Sequence, residues 1–442
     1  MPNATPARFG TEAERESRMS WWMEARFGMF IHWGLYALPA RHEWVRSRER
    51  MTDEAYARYF ERFDPDLYDP RAWARAARMA GMRYVVMTTK HHDGFCLWDS
   101  GLTDFKATRT PCGRDLIRPL AEAVRAEGLR LGFYHSLLDW HHPEYTVDVH
   151  HPMRDDPAFA ERSAGRNIAR YADYLHGQIE ELLSGYGRID TLFLDYSFPG
   201  PGGKGRDEWR SERLLELVRR LQPGIVVNDR LDLLDVPGGW DYRSPEQFVP
   251  RDGIRVEGRP VPWETCQTFS GSWGYHRDES TWKSARQLVV LLIETVGRGG
   301  NLLLNVGPTG RGEFDDRATD RLRAIGAWMA RNGRSIHGCT RAPEGFAAPP
   351  GCLLTWNPAA RRLYLHVLEW PATGILSCPG WAGRVAYAQL LHDASEIVLA
   401  AGGGEVGFMP GTRPPEPEGA LTLRLPVAVP AVEVPTIELF LP

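Results

Sequence analysis

The stretch TLFLDYSF, Thr191 to Phe198, decides how the chain is read, because an apolar run ends there on a single carboxylate, Asp195. A strand of Leu192, Phe193 and Leu194 has no polar face to turn to solvent, so it belongs in a parallel sheet covered on both sides. In such folds the first charged residue emerges at the carboxyl end of the strand, where active sites lie. Taken alone, Asp195 reads more readily as a cap on the following turn than as a catalytic group. Other strands end on polar side chains in the same way, and that shifts the reading toward chemistry.

Outward from this strand, from about Trp21 to Asn332, short apolar runs alternate with helical patterns, the signature of a parallel sheet with crossover helices. The pattern predicts strands at Gly28 to His32, Tyr84 to Thr89, Leu129 to Ser136, Asp190 to Asp195, Ile225 to Asn228, Asp241 to Glu246, Pro262 to Thr268 and Asn301 to Val306. The sixth is the weakest. Between them, Asp69 and Pro70 supply a cap and a first-turn proline, Trp73, Ala77 and Ala80 line one face, and Gly81 stops the run. Ile168, Tyr171, Leu175, Ile179 and Leu182 recur at three and four, as do Trp282, Ala285, Val289, Leu292 and Val296. Eight strands at this length predict an α/β fold, a (β/α)8-like barrel over residues 12–337, irregular between Ile225 and Thr268, with an open doubly wound sheet as the alternative. After about Gly338 short β-type runs follow at Cys352 to Trp356, Arg362 to Leu368, Ile397 to Ala400 and Leu421 to Leu425. Turn residues punctuate them, as at Gly402 to Gly404 and Pro414 to Pro417, so residues 338–442 read as a C-terminal β-sandwich.

Composition narrows the function classes. A chain of 442 residues with net charge −4 and no run of Lys or Arg offers no field for a phosphate backbone, so nucleic acid is not an expected partner. The six cysteines are scattered without a CxxC pair, so neither a disulfide framework nor a thiolate zinc site is expected. The first twenty residues are polar, without the apolar core of a signal peptide, and no long apolar run suggests a membrane span. A cytoplasmic location is the default expectation. The oligomeric state is undecided, and a homo-oligomer stays open.

Reading only the carboxyl ends of the strands gives His32 and Trp33, then His91, His92 and Asp93, then His135, Asp195, Arg230, Glu246, Glu264 and Asn305. A barrel brings all of these to one mouth. Imidazoles, carboxylates, one guanidinium and several tryptophans suit a neutral polyol, whose hydroxyls need directional hydrogen bonds while rings cover its apolar patches. That describes a sugar. Each piece has a plainer reading: adjacent His91 and His92 point to opposite sides if they lie on a strand, and Glu246 or Glu264 could simply pair with Arg230 or Arg243. His32, His91 and Asp93 could gather a metal, but no HxH or HExxH spacing occurs and no metal or other cofactor is expected. The glycine-rich VGRGGNLLLNVGPTGRGE lacks the GK[ST] ending of a phosphate loop, so Gly297, Gly299 and Gly300 read as a tight helix-to-strand turn.

The chain resembles the α-L-fucosidases of glycoside hydrolase family 29. The resemblance rests on WWMEARFGMFIHWGLYALP, on Glu43 and Trp44, on GMRYVVMTTKHHDGFCLWDS, GLRLGFYHSLLDW, TLFLDYS, VVNDR, WDYRSPEQ, PWETCQT with WGY, and GGNLLLNVGPTGRG, in family order from about Trp21 to Gly338. It implies a retaining, exo-acting mechanism on fucosylated oligosaccharides or glycoconjugates, with Asp195 attacking the anomeric carbon and a second carboxylate protonating the leaving oxygen. Motif position assigns the second role to Glu246, with Glu264 and Glu43 as fallbacks. It also implies fucose binding by His32, Glu43, Trp44, His91, His92, His135 and Arg230, with Phe30 and Trp98 near the sugar methyl. For retention the two carboxyls should stand roughly 5 to 5.5 Å apart. Three departures bear on leaving-group preference: Phe193 where relatives often have Trp, Tyr196 where Gly is frequent, and His135 where Tyr is common. The rival readings are a non-catalytic fucose-binding protein on the same fold and a glycosidase acting on a related sugar such as L-galactose.

Overall fold

The structure, a computed structural model, describes residues 8–401 and 419–442. Its first layer is built from β1 (Phe27–Ile31), β2 (Tyr84–Lys90), β3 (Arg130–Ser136), β4 (Thr191–Asp195), β5 (Val226–Val227), a peripheral hairpin of β6 (Ile254–Val256) and β7 (Arg259–Val261), then β8 (Glu264–Thr268) and β9 (Asn301–Val306). Seven of these pair in parallel in the order β5-β4-β3-β2-β1-β9-β8. Every residue of β1, β2, β4, β8 and β9 is buried, as strands covered on both faces require.

The eighth strand expected at Asp241 to Glu246 does not form as such. The segment contains Pro245, which has no N–H for a ladder, and it joins its neighbours through separate contacts. Single parallel bridges link Arg243 to Trp263 and Glu246 to Cys266, and the Asp241 N–H donates to the Val227 carbonyl at 2.9 Å. The curled sheet is thereby closed between β5 and β8 by irregular backbone. Inside it, Phe30, Tyr84, Val86, Tyr134, Phe193, Cys266 and Leu303 form one apolar cluster.

The helices outside follow the sequence signals. Asp69 accepts from the N–H groups of Arg71 and Ala72 and opens Pro70–Met79, and Gly81 closes it at φ +83°, where a Cβ would strike Met329 at 2.8 Å. Ile168–Gly185 buries Tyr171, Leu175, Ile179 and Leu182. Ser284 caps Ala285–Gly297, so Trp282 falls ahead of that helix instead of on its stripe. The helix runs into β9 through Gly299 at φ +88°; a Cβ on Gly300 would overlap the Trp263 ring.

The C-terminal region holds β10 (Cys352–Asn357), β11 (Arg362–Val367), β12 (Ile375–Cys378), β13 (Tyr387–Leu390), β14 (Val398–Ala401), β15 (Leu421–Arg424) and β16 (Thr436–Phe440). A four-stranded antiparallel sheet, β10-β11-β16-β13, faces a three-stranded one, β12-β15-β14. Leu363, Leu365, Ile437 and Leu439 of the first share a core with Leu376, Cys378, Leu421 and Leu423 of the second, which makes a β-sandwich. The turns expected at Gly402 to Gly404 and Pro414 to Pro417 lie outside the described residues. Among the described residues, no helix is long and apolar enough to cross a membrane.

Candidate active site

Asp195 ends β4 at the carboxyl rim of the barrel, with only 10% of its side chain exposed. Its Oδ2 accepts from the Tyr134 hydroxyl at 2.7 Å and its Oδ1 from Arg230 Nη1 at 2.6 Å. The other arm of the same guanidinium, Nη2, donates to Glu246 Oε2 at 2.9 Å. Two carboxylates from distant segments therefore share one cation. Arg230 is itself fixed, since its Nε donates to Ser244 Oγ at 3.1 Å and its guanidinium lies 4.9 Å above the Phe193 ring. Burial first, and then the charge of Asp195, holds the Tyr134 phenol well above its usual range, so it stays a donor to the carboxylate.

The histidines are neutral, and their neighbours fix the tautomers. Burial lowers His32 to about 4 and holds His91 and His92 well below the usual imidazole range. Ser136 Oγ gives its only hydrogen to the Leu138 carbonyl at 2.9 Å, so at 2.6 Å it accepts from His92 Nδ1. This leaves His92 Nε2 as a bare acceptor, 3.9 Å from Asp195 Oδ2. The same logic applies to His32. Asn305 Nδ2 donates to the Trp273 carbonyl, turning its Oδ1 toward His32 Nδ1 at 2.7 Å, and His32 Nε2 is left to accept. The His91 ring lies parallel to Tyr134 at 5.7 Å, and its Nδ1 is buried without a partner. His91 and His92 reach one pocket because β2 ends at Lys90, after an irregularity in its pairing with β3, so the strand alternation no longer governs them.

Glu43 is buried, and its Oε2 accepts from the N–H groups of Trp273 and Gly274 at 3.1 and 2.9 Å. Its Oε1 has no hydrogen-bond donor. His42 Nδ1 lies 3.1 Å away but already accepts from the Trp44 N–H. Burial pushes the Glu43 carboxyl up to about 7, against the opposing pull of the Gly274 and Trp273 N–H groups. Trp44 meets the His92 ring edge-on at 4.9 Å.

Four expected residues lie elsewhere: His135, Trp98, Glu264 and Asp93. His135 sits on the outer face of β3, one residue out of phase with Tyr134; its Nδ1 is 2.9 Å from Thr89 Oγ1, and Trp98 lies beside it at 5.8 Å. Trp98 shares that outer position, with its Nε1 bonded to Glu181. Glu264 opens β8 at the amino-terminal end of the barrel, where the Tyr84 hydroxyl at the start of β2 donates to it. It faces the end opposite Asp195, and burial pushes it up to about 7. Asp93 also turns away, accepting from the Tyr56 hydroxyl and the Phe95 N–H. Among the described residues, no three His, Cys, Asp or Glu side chains are placed to hold a metal ion. Tyr134 and Ser136 were missed, although the parity Gly132, Tyr134, Ser136 marks the face of β3 opposite to Phe133 and His135.

Paired carboxylates on one guanidinium, ringed by neutral imidazoles at a barrel mouth, suit a glycoside hydrolase. The comparisons with known proteins narrow this. The family model described as Alpha-L-fucosidase matches residues 5–334, and the chain belongs to that family. It is 30% identical over 417 residues to the plasma alpha-L-fucosidase of Homo sapiens, covering 88% of this chain and 83% of the relative. Over 452 residues it is 27% identical to the alpha-L-fucosidase of Dictyostelium discoideum, covering 95% and 91%. Among solved structures, alpha-L-fucosidase isoenzyme 1 from Paenibacillus thiaminolyticus superposes with TM-score 0.89 at 44% identity, covering 97% of this chain and all of that one. A GH29 alpha-L-fucosidase from Bacteroides thetaiotaomicron, solved as a trapped covalent intermediate, gives TM-score 0.80 at 26% identity over 96% and 95%.

Proposed function

We propose that this protein is a retaining, exo-acting α-L-fucosidase that releases terminal fucose from fucosylated oligosaccharides or glycoconjugates. The observation that carries the reading is the pair of contacts Arg230 makes, Nη1 to Asp195 and Nη2 to Glu246, which bring two carboxylates to one guanidinium and so support their working on a single bond. In the first step an Asp195 oxygen forms a bond to the anomeric carbon as the glycosidic C–O bond breaks, and the departing oxygen takes the proton of Glu246. In the second, Glu246 removes a proton from water, the hydroxide bonds to the anomeric carbon, and Asp195 leaves with its electron pair. Positive charge spreads over the sugar ring at both transition states, and Asp195 at the ring stabilises it. Tyr134 and Arg230 keep the carboxylate aimed, and the bare Nε2 atoms of His32 and His92 accept from sugar hydroxyls. Glu43 supplies a further partner through its free Oε1. The covalent intermediate trapped in the Bacteroides thetaiotaomicron relative supports the same sequence of steps here.

The test uses an aryl α-L-fucoside. Asp195→Ala should remove turnover while the melting temperature stays within a few degrees of the parent. Glu246→Ala should keep substrates with good leaving groups and regain rate with azide, which displaces Asp195 from the intermediate and gives a fucosyl azide of retained configuration. Full activity of Asp195→Ala, or no azide rescue of Glu246→Ala, would assign these roles to other groups.

A further inference from the structure

Directly after the nucleophile, Tyr196 sits at φ +83°, in the left-handed region where a side chain is strained. Such a backbone persists only when its surroundings hold it. Here the side chain is held by rings. Tyr196 lies 5.4 Å from Trp44, 5.1 Å from His92, 5.1 Å from His150 and 5.4 Å from Phe198, centroid to centroid. His150 in turn stands 5.4 Å from Trp44 and 4.8 Å from Phe198. Trp44, His150, Tyr196 and Phe198 are all half-buried, so one aromatic wall from three separate loops keeps an open face.

The wall adjoins the paired carboxylates: Tyr196 follows Asp195 directly, and its ring lies beside His92, whose Nε2 is 3.9 Å from Asp195 Oδ2. Burial, and after it the charges of Asp195, Glu246 and Asp148, push the Tyr196 phenol up to about 12, so this ring lies in the field of both reacting carboxylates. His32 and His91 are not among its ring contacts. One buried ion pair sets its position. Lys204 Nζ donates to Asp148 Oδ2 at 2.9 Å, with 3% and 1% of the two side chains exposed. Asp148 Oδ1 accepts from the N–H groups of His150 and His151 at 2.8 and 2.9 Å, fixing the loop that carries His150. Lys204 exchanges both backbone hydrogen bonds with Phe198, at 2.9 and 3.1 Å, fixing the loop that carries Tyr196 and Phe198.

We propose that Tyr196, Phe198 and His150, continuing from Trp44, form a leaving-group subsite that stacks the apolar C–H face of a pyranose joined to the departing oxygen, with Tyr196 as its specificity-determining side chain. The inference rests on the fucosidase reading of Asp195 and Glu246. Sugar rings present such faces, and an aromatic ring covers them without needing one particular hydroxyl pattern. The lock between Lys204 and Asp148 acts through the loops and is a positioning device.

The experiment compares kcat/KM for a fucosyl-galactose disaccharide with kcat/KM for α-L-fucosyl fluoride, whose leaving group is a single atom that touches no wall. In Tyr196→Gly, a residue that adopts this φ without strain, the ratio of disaccharide to fluoride should fall about tenfold, the scale of one lost ring contact. Tyr196→Phe should hold the ratio within twofold, since the ring and not the hydroxyl makes the contact. A ratio unchanged in Tyr196→Gly overturns the subsite. So does an equal fall for both substrates, which would place Tyr196 on the nucleophile instead. A parent enzyme that cleaves neither substrate overturns the fucosidase reading and the subsite with it, whereas turnover of both with a constant ratio overturns the subsite alone.

Discussion

Replacing Glu43 by Gln separates what that position does for stability from what it does for substrate. The carboxyl is buried, Oε1 has no donor, and burial raises it from 4.5 to about 7. Between those values the folded protein holds a proton that the unfolded chain has already released. Stability therefore falls as pH rises from 4.5 to 7, and the whole penalty is present above 7. The interval corresponds to at most about 3 kcal/mol. Spread over a chain of 442 residues, whose unfolding entropy is roughly 0.9 kcal/mol per kelvin, it shifts the melting temperature by about 3 °C. Glutamine has no proton to lose, while its oxygen still accepts from Trp273 and Gly274. The melting temperature of Glu43→Gln minus that of the parent should thus become about 3 °C more favourable at pH 8 than at pH 5, read by calorimetry at constant ionic strength. Glu264, also raised to about 7, titrates equally in both proteins and cancels. On an aryl fucoside the variant should lose at least about tenfold in kcat/KM, the cost of mispairing one sugar hydroxyl. A melting difference that does not change with pH would show that Glu43 is ionised in the fold throughout, and the account of its burial would be wrong.

The remaining expectations concern residues that the fold moves away from the pocket and the acid limit of stability. Glu264→Gln should lower the melting temperature, keep kcat/KM for an aryl fucoside within about threefold, and show no azide rescue; rescue would bring it back as the proton carrier. His135→Gln should likewise cost stability and leave KM within about twofold, and a tenfold rise in KM would place the imidazole in the pocket after all. Burial lowers His32, His42, His151 and His337 each to about 4. The unfolded chain then takes up protons that the fold refuses, so stability should drop as pH falls from 6.5 toward 4. A denaturation midpoint that stays flat across that window would contradict the buried, neutral state of these rings.

The barrel was legible because its strands carry an unbroken apolar signal. Leu192 to Leu194 and Leu302 to Leu304 have no polar alternation, and only a sheet covered on both faces accommodates them. The strand ends were legible to within one residue, and that residue mattered. At the end of β3 the histidine is the more reactive side chain, but the pleat puts Tyr134 inward against Asp195 and His135 outward beside Thr89. Glu264 failed for a related reason. It belongs to the same short strand as Thr268, but at the amino end, whereas the mouth lies at the carboxyl ends of parallel strands. Tautomers were beyond the sequence altogether, because they depend on where Ser136 and Asn305 send their own hydrogens.

The least regular part of the ring carries the residue that the proposed mechanism asks most of. Asp195 needs a fixed place and receives it from a fully buried strand, a tyrosine and an arginine. In the proposed mechanism Glu246 hands a proton to leaving groups and later takes one from water, which requires access, and 42% of its side chain is exposed. A continuous eighth strand would bury it as the other strands bury theirs. The segment 241–247 instead keeps the bridge from Glu246 to Cys266, which sets the depth of the side chain beside inward-facing Cys266. The chain then turns away at Gln247, with φ +61°. Proline at 245 and a left-handed residue at 247 interrupt the ladder on either side of the one bridge that counts, and this is why the motif marked Glu246 while the strand pattern there was faint. Arg230 restores what the broken ladder gives up, since the guanidinium that holds Asp195 also reaches across the gap to hold Glu246 beside it.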